Sequence, residues 1–126
     1  MKTVLILDDD LGFVFWLGHV LDAAAYSTLP AKSVPDAVLL VTQLGLTVDV
    51  LVINLALAEG LNFVTAMHSS QRDMKVIGVL NDPVEVTNIL GVNAVHLKPS
   101  VRNEAAKVEW LQYVQSVLAN QRRASM

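Results

Sequence analysis

Acidic and amide side chains follow or interrupt two apolar runs of this chain, and a lysine follows a third. Asp8, Asp9 and Asp10 come directly after the apolar residues 3–7, Asn54 lies near the end of residues 48–55, and Lys98 follows residues 94–97. Carboxylates are the ligands that hard divalent cations such as Mg²⁺ prefer, and a lysine ammonium pairs with anions. Together these side chains would form a small polar site suited to a divalent cation and an anion.

The pattern of apolar residues predicts the elements that bring these side chains together. Short β-type runs alternate with stretches in which apolar residues recur at helical spacing. Strict alternation predicts an α/β fold, a five-stranded doubly wound parallel sheet with a site at the carboxyl ends of its strands. The predicted strands are residues 3–7, 26–31, 48–55, 75–80 and 94–97, and the predicted helices are residues 11–24, 35–44, 61–70, 84–90 and 103–121.

Composition excludes several classes of protein. The 126 residues are 53% apolar and 17% charged, with no cysteine and a formal net charge of −3. Residues 1–126 are therefore predicted to form a single domain, with no output domain and no disulfide or thiolate metal site. The acidic balance argues against nucleic acid as a partner, and the apolar runs are too short to cross a membrane. Because three aspartates interrupt the N-terminal apolar run, we predict no signal peptide and a cytoplasmic protein.

The residues at the strand ends give the chain a family resemblance. It resembles the receiver domain of bacterial two-component response regulators, which implies a (βα)₅ flavodoxin-like fold. The resemblance assigns Asp8 and Asp9 to the acidic pair that holds Mg²⁺, and Lys98 to the lysine that contacts the phosphoryl group. The stretches that carry it are residues 4–10 (VLILDDD), 49–55 (DVLVINL), 75–80 (KVIGVL) and 91–99 (GVNAVHLKP).

Several family positions are altered in this chain. The phosphoacceptor aspartate falls at Asn54, and a carboxamide is a poor nucleophile that leaves no stable acyl phosphate. The hydroxyl residue that binds the phosphoryl group falls at Leu80, and the aromatic switch residue falls at Val95. Leu80 and Lys98 are only 18 positions apart, which predicts a shortened fourth helix.

These departures predict a degenerate receiver that signals through protein contacts without aspartyl phosphorylation. It is interpreted as a module that is not an enzyme and requires no cofactor. Asp8 and Asp9 are predicted to keep only weak affinity for Mg²⁺, since Asn54 removes one negative charge from the site. Lys98 is predicted to pair with Asp8 or Asp9.

Two alternatives remain open at this point. One is a small Mg²⁺-dependent phosphoryl-handling enzyme, similar to haloacid dehalogenases, that uses Asp8 or Asp10 as nucleophile. The other is a conventional receiver phosphorylated on another aspartate, for which Asp8 and Asp9 are the nearby candidates. The three histidines share no spacing typical of a metal site.

The first predicted helix offers a candidate partner face. The helical spacing directs one apolar stripe toward the core, which leaves Val14, Phe15 and His19 outside it. Adjacent exposed apolar side chains indicate a contact surface. The resemblance implies a histidine kinase, a phosphotransfer protein or another signalling protein as partner, and homodimerisation is the alternative. The stripe predicted to face the core consists of Phe13, Trp16, Leu17, Val20 and Leu21.

Overall fold

A computed structural model describes residues 1–83 and 89–119 of the chain. These residues form five strands and four helices. The strands are β1 (Thr3–Leu7), β2 (Ser27–Ala31), β3 (Val50–Asn54), β4 (Lys75–Leu80) and β5 (Ala94–Leu97). The helices are α1 (Leu11–Ala23), α2 (Val34–Leu44), α3 (Gly60–Ser70) and α4 (Glu104–Ala119).

The strands form one parallel sheet in the order β2-β1-β3-β4-β5. The predicted doubly wound fold is confirmed, and all five strands were predicted within two residues of their observed ends. The chain moves outward from β1 in both directions, so the order reverses between β1 and β3. Side chains that follow β1 and β3 are therefore neighbours in the crevice where α/β sheets bind ligands.

Successive side chains of each strand point to opposite faces of the sheet and contribute to two apolar layers. In β1, Val4 and Ile6 face the layer beneath α1 and α4, while Leu5 and Leu7 face the layer beneath α2 and α3. A sheet covered on both faces needs apolar residues at every position, which explains the uninterrupted runs of the sequence. The 53% apolar content is absorbed mainly by these two layers.

Pro30 is accommodated because β2 is an edge strand. The N–H of Ser27 donates to the carbonyl of Lys2, and the carbonyl of Ala31 accepts from the N–H of Asp8. Ladder groups alternate along a strand, so the nitrogen of Pro30 faces away from β1 and no sheet hydrogen bond is lost. The same proline removes a donor from the open edge, which discourages another strand from pairing there.

The helix boundaries follow local capping. Asp10 caps α1 by accepting from the N–H of Phe13, and Ser33 caps α2 in the same way. Gly45 ends α2 in a left-handed conformation with φ of 59°, as its position after the periodic residues predicts. The predicted fourth helix of residues 84–90 falls largely on residues 84–88, which lie outside the described part of the chain. No helix within residues 1–83 and 89–119 is long and apolar enough to span a membrane.

The prediction that Val14 is exposed is wrong. Val14 is only 1% exposed, whereas Trp16, which was predicted to face the core, is half-buried at its margin. The reason is that α1 packs against both β1 and β2 and also against α4, so a wider arc of the helix is covered than one stripe. Phe15 and His19 remain exposed, so the face keeps two of its three predicted residues.

Candidate functional site

The carboxyl edge of the sheet brings together Asp8, Asn54 and Lys98. Asp8 directly follows β1, Asn54 ends β3, and Lys98 directly follows β5. Asp8 and Asn54 are 1% and 2% exposed and are the buried polar residues of the described chain. Buried polar groups are costly unless they are paired. Both side chains therefore require hydrogen-bond or ion-pair partners within the site.

The ammonium of Lys98 is held within the acidic pocket. Its Nζ lies 2.8 Å from Oδ2 of Asp8 and 3.4 Å from Oδ2 of Asp10, and the Lys98 side chain is only 12% exposed. The same nitrogen lies 5.3 Å from the ring centroid of Phe13, at a distance typical of a cation–π contact. The predicted pairing of Lys98 with Asp8 is present in the structure, and Asp10, rather than Asp9, is the second acid.

Asn54 occupies the other side of the Asp8 carboxylate. Its Nδ2 donates to Oδ1 of Asp8 at 3.1 Å, and its Oδ1 accepts from the N–H of Ala56 at 2.9 Å. Oδ1 of Asp8 also accepts from the N–H of Asp10 at 3.0 Å. Within the described residues Oδ2 of Asp8 has no hydrogen bond, so the nearby Lys98 charge is what balances it.

Asp10 has two structural roles at the mouth of the site. It caps α1 and lies within ion-pair distance of Lys98 and of Arg102, whose Nη2 is 3.9 Å away. The N–H of Phe13, opposed by partial burial and assisted by the two cations, lowers the pKa of Asp10 below its ordinary value. Asp10 therefore stays ionised.

Arg102 is a member of the site that the sequence analysis did not identify. Gly12 gives it room, since a Cβ on that glycine would lie 3.0 Å from Nη1 of Arg102. The only sequence signal is a basic residue four positions after Lys98. That spacing alone does not place Arg102 in the site, because the site is reached only when the segment after β5 folds back over α1.

The predicted Mg²⁺ ligands do not assemble as expected. Asp9 is exposed, and the structure places it in no hydrogen bond or ion pair with the described residues of the cluster. Both oxygens of Asp8 face protein donors, and the ammonium of Lys98 lies against the one that has no hydrogen bond. Across residues 1–83 and 89–119, no three His, Cys, Asp or Glu side chains converge to hold a metal ion. The donor set therefore fits a resident Mg²⁺ poorly.

The predicted switch positions lie in the last two strands. Leu80 ends β4 and Val95 lies in β5, and both are half-buried. The backbone N–H of Lys98 donates to the carbonyl of Leu80 at 3.0 Å, so Leu80 is adjacent to the site. Asn54 and Leu80 border a cavity of about 150 Å³. The side chain of Leu80 brings no hydrogen-bond donor to that cavity.

Four aromatic side chains connect the site to α4. The Phe13 ring meets Trp110 edge-on at 5.3 Å between centroids, and Trp110 meets His96 and Tyr113 at 6.0 and 5.2 Å. His96 stacks flat on Tyr113, with centroids 3.5 Å apart and planes 6° apart. Burial lowers the pKa of His96 below 6.5, partly offset by Glu109, and raises the pKa of Tyr113. His96 thus packs as a neutral ring.

We predict that His96 makes stability depend on pH. Its folded-state pKa lies below the unfolded value of 6.5, so stability is fully present above that pH. As the pH falls from 6.5, the unfolded chain binds a proton that the folded chain resists, and the free energy of unfolding decreases. Urea unfolding of the wild type and of His96→Phe at several pH values measures this effect. An equally steep decrease in His96→Phe would contradict the prediction.

The comparisons with known proteins identify the fold. A receiver-domain protein of the CheY type from Methanospirillum hungatei is 18% identical, with a TM-score of 0.77 over 98% of each chain. Chemotaxis response regulator CheY4 of Vibrio cholerae is 21% identical, with a TM-score of 0.74 over 94% of this chain and 99% of that one. Response regulator TrrA from Thermotoga maritima, solved with Mg²⁺ and BeF, is 17% identical, with a TM-score of 0.73 over 94% of this chain and 100% of that one.

The sequence comparisons add no closer relationship. No family model and no curated protein matches the chain. The receiver fold is shown by the structural similarities, which extend over 94% or more of the chain.

Proposed function

We propose that this chain is a pseudo-receiver, a signalling module of a two-component system or phosphorelay that acts through protein contacts without aspartyl phosphorylation. Its partner is a histidine kinase, a phosphotransfer protein or another signalling protein. The likeness to receiver structures supports the first part of the proposal. The amide of Asn54 and its hydrogen bonds support the second part.

Asn54 is the observation that carries the proposal. A phosphoacceptor needs a carboxylate oxygen free to attack phosphorus. At the end of β3, Asn54 instead presents an amide whose nitrogen donates to Asp8 and whose oxygen accepts from Ala56. Neither atom is a competent nucleophile, and both are engaged in the buried network.

The charge balance of the site supports the same conclusion. The carboxylates of Asp8 and Asp10 lie beside two cations, the ammonium of Lys98 and the guanidinium of Arg102. A phosphoryl group brings at least one further negative charge. It would have to displace a carboxylate from one of these cations. Leu80, at the end of β4, has no hydroxyl group with which to bind it.

The two alternatives receive less support. Asp8 has one oxygen hydrogen-bonded to Asn54 and Asp10 and the other beside Lys98. Asp10 has one oxygen bonded to the N–H of Phe13 and the other facing Lys98 and Arg102. Neither is poised as a nucleophile, whether for a phosphatase or for a receiver phosphorylated on another aspartate.

The proposal predicts that phosphoryl donors leave the protein unchanged. The chain is incubated with Mg²⁺ and either acetyl phosphate or beryllofluoride, and intact mass and backbone amide shifts are recorded. We expect no adduct and no shifts at Asn54 or Lys98. A stable adduct would contradict the absence of phosphorylation. In a separate assay, turnover of a generic phosphomonoester would favour the alternative of a Mg²⁺-dependent phosphoryl-handling enzyme. Asn54→Asp is the matched control that shows the reagents are active.

A further inference from the structure

The largest exposed aromatic side chain of the chain lies between two grooves. Phe15 is 62% exposed on α1, and grooves of about 320 and 330 Å³ lie on its two sides. Pro30 of β2 borders both grooves. We call this surface the Phe15 face; it comprises Leu11, Phe15, Pro30, Lys32, Asp36 and Leu39.

We infer that the Phe15 face is the surface on which two copies of this chain associate. The face presents a projecting ring and recesses beside it, so one copy supplies both the projection and the groove that receives it. Leu11 and Leu39, which are 45% and 55% exposed, border the second groove and provide apolar walls. A two-fold interface requires each copy to carry both complementary features, and this surface carries a projecting ring and an apolar groove beside it.

The charges of the face are self-complementary as well. Lys32 and Asp36 border the same groove, and neither forms an ion pair with any residue the structure describes. A two-fold axis between them places Lys32 of one copy opposite Asp36 of the partner subunit, and the reverse. A uniformly acidic partner would repel Asp36 and a uniformly basic partner would repel Lys32, whereas a second copy pairs both charges.

The edge strand restricts how the copies meet. The nitrogen of Pro30 faces outward from β2 and has no hydrogen to donate, so continuous pairing of two β2 strands is disfavoured. The contact therefore depends on side chains of α1, of α2 and of the turn between β2 and α2. Phe15 is its centre, because a large aromatic group that becomes fully buried contributes most to an interface.

The oligomeric state of the full chain tests the inference. Sedimentation equilibrium of the wild type is expected to show a dimer, and Phe15→Ala to raise its dissociation constant at least about tenfold. Val108→Ala is the matched control, because Val108 is 52% exposed on α4 and lies outside the face. A wild type that stays monomeric at high concentration would overturn the inference and leave the face to a different protein. A dimer that resists Phe15→Ala would also overturn it.

Three further variants separate binding from folding. Leu39 is 55% exposed on α2 and borders the second groove, so Leu39→Ala removes an apolar wall of the face without opening a cavity in the core. It is expected to weaken the dimer without lowering the thermal midpoint of a dilute, monomeric sample. Lys32→Glu is expected to weaken the dimer, and adding Asp36→Lys to restore it. Failure of that restoration would overturn the two-fold pairing.

Discussion

Lys98→Met is expected to lower the free energy of unfolding by about 3 kcal/mol, because it leaves a buried carboxylate without its cation. Asp8 is 1% exposed, and its Oδ2 lies 2.8 Å from the Lys98 ammonium with no hydrogen bond from the described residues. Methionine keeps most of the length and apolar surface of lysine, so the variant removes mainly the charge. Urea unfolding at neutral pH measures the loss.

Two comparisons isolate the cause of that loss. Lys107→Met removes an ion pair of similar length, 3.2 Å to Glu104, from an exposed site, and we expect it to cost less than about 0.5 kcal/mol. Adding Asp8→Asn to Lys98→Met removes the orphaned charge and should recover most of the stability. If Lys98→Met costs no more than Lys107→Met, the ammonium does not balance the pocket.

Asn54→Asp is the second substitution with a large expected effect. It replaces the amide that donates to Oδ1 of Asp8 at 3.1 Å with a second carboxylate in a buried site. The lost hydrogen bond and the added repulsion should lower stability by about 2 kcal/mol in the absence of divalent cations. A third acid beside Asp8 and Asp10 also creates a cation site, so Mg²⁺ should restore stability by binding the folded state.

The control for this substitution adds the same charge nearby. Asn81 is exposed, and its Oδ1 is 3.5 Å from Nδ2 of Asn54, so Asn81→Asp should change stability little and gain little Mg²⁺ affinity. Thermal unfolding of both variants with and without Mg²⁺ makes the comparison. Equal responses would show that the charge acts through the general field and not through the Asp8 network.

The restored acid is not expected to restore a switch. Leu80 supplies no hydroxyl group to a phosphoryl ligand, and Val95 has no ring to reorient. Beryllofluoride with Asn54→Asp should therefore shift amides near residues 8, 54 and 98 and leave those of α4 unchanged. Large shifts across α4 would show that coupling survives through another route, such as the ring contact of Phe13 with Trp110.

The details of the site that could not be predicted depend on packing. Asp10 and not Asp9 joins Asp8, because Asp10 must turn inward to cap α1 while Asp9 points to solvent. Val14 is buried because α1 lies across β2 as well as β1. His96 stacks on Tyr113 only because α4 packs on the side of the sheet that His96 faces. The cap that Asp10 forms is local, but its contact with Lys98 joins residues 88 positions apart. The burial of Val14 and the stacking of His96 likewise depend on residues far apart in sequence.

The sequence by itself determined the parallel sheet and the meeting of Asp8, Asn54 and Lys98. The physical reason is local: apolar runs covered on both faces form central parallel strands, whose carboxyl ends share one edge. Only the tertiary structure decided which further side chains join them, because the orientation of a helix on a sheet fixes which neighbours reach the site. The position of Asp10, rather than Asp9, beside Lys98 and Arg102 is the result of that arrangement.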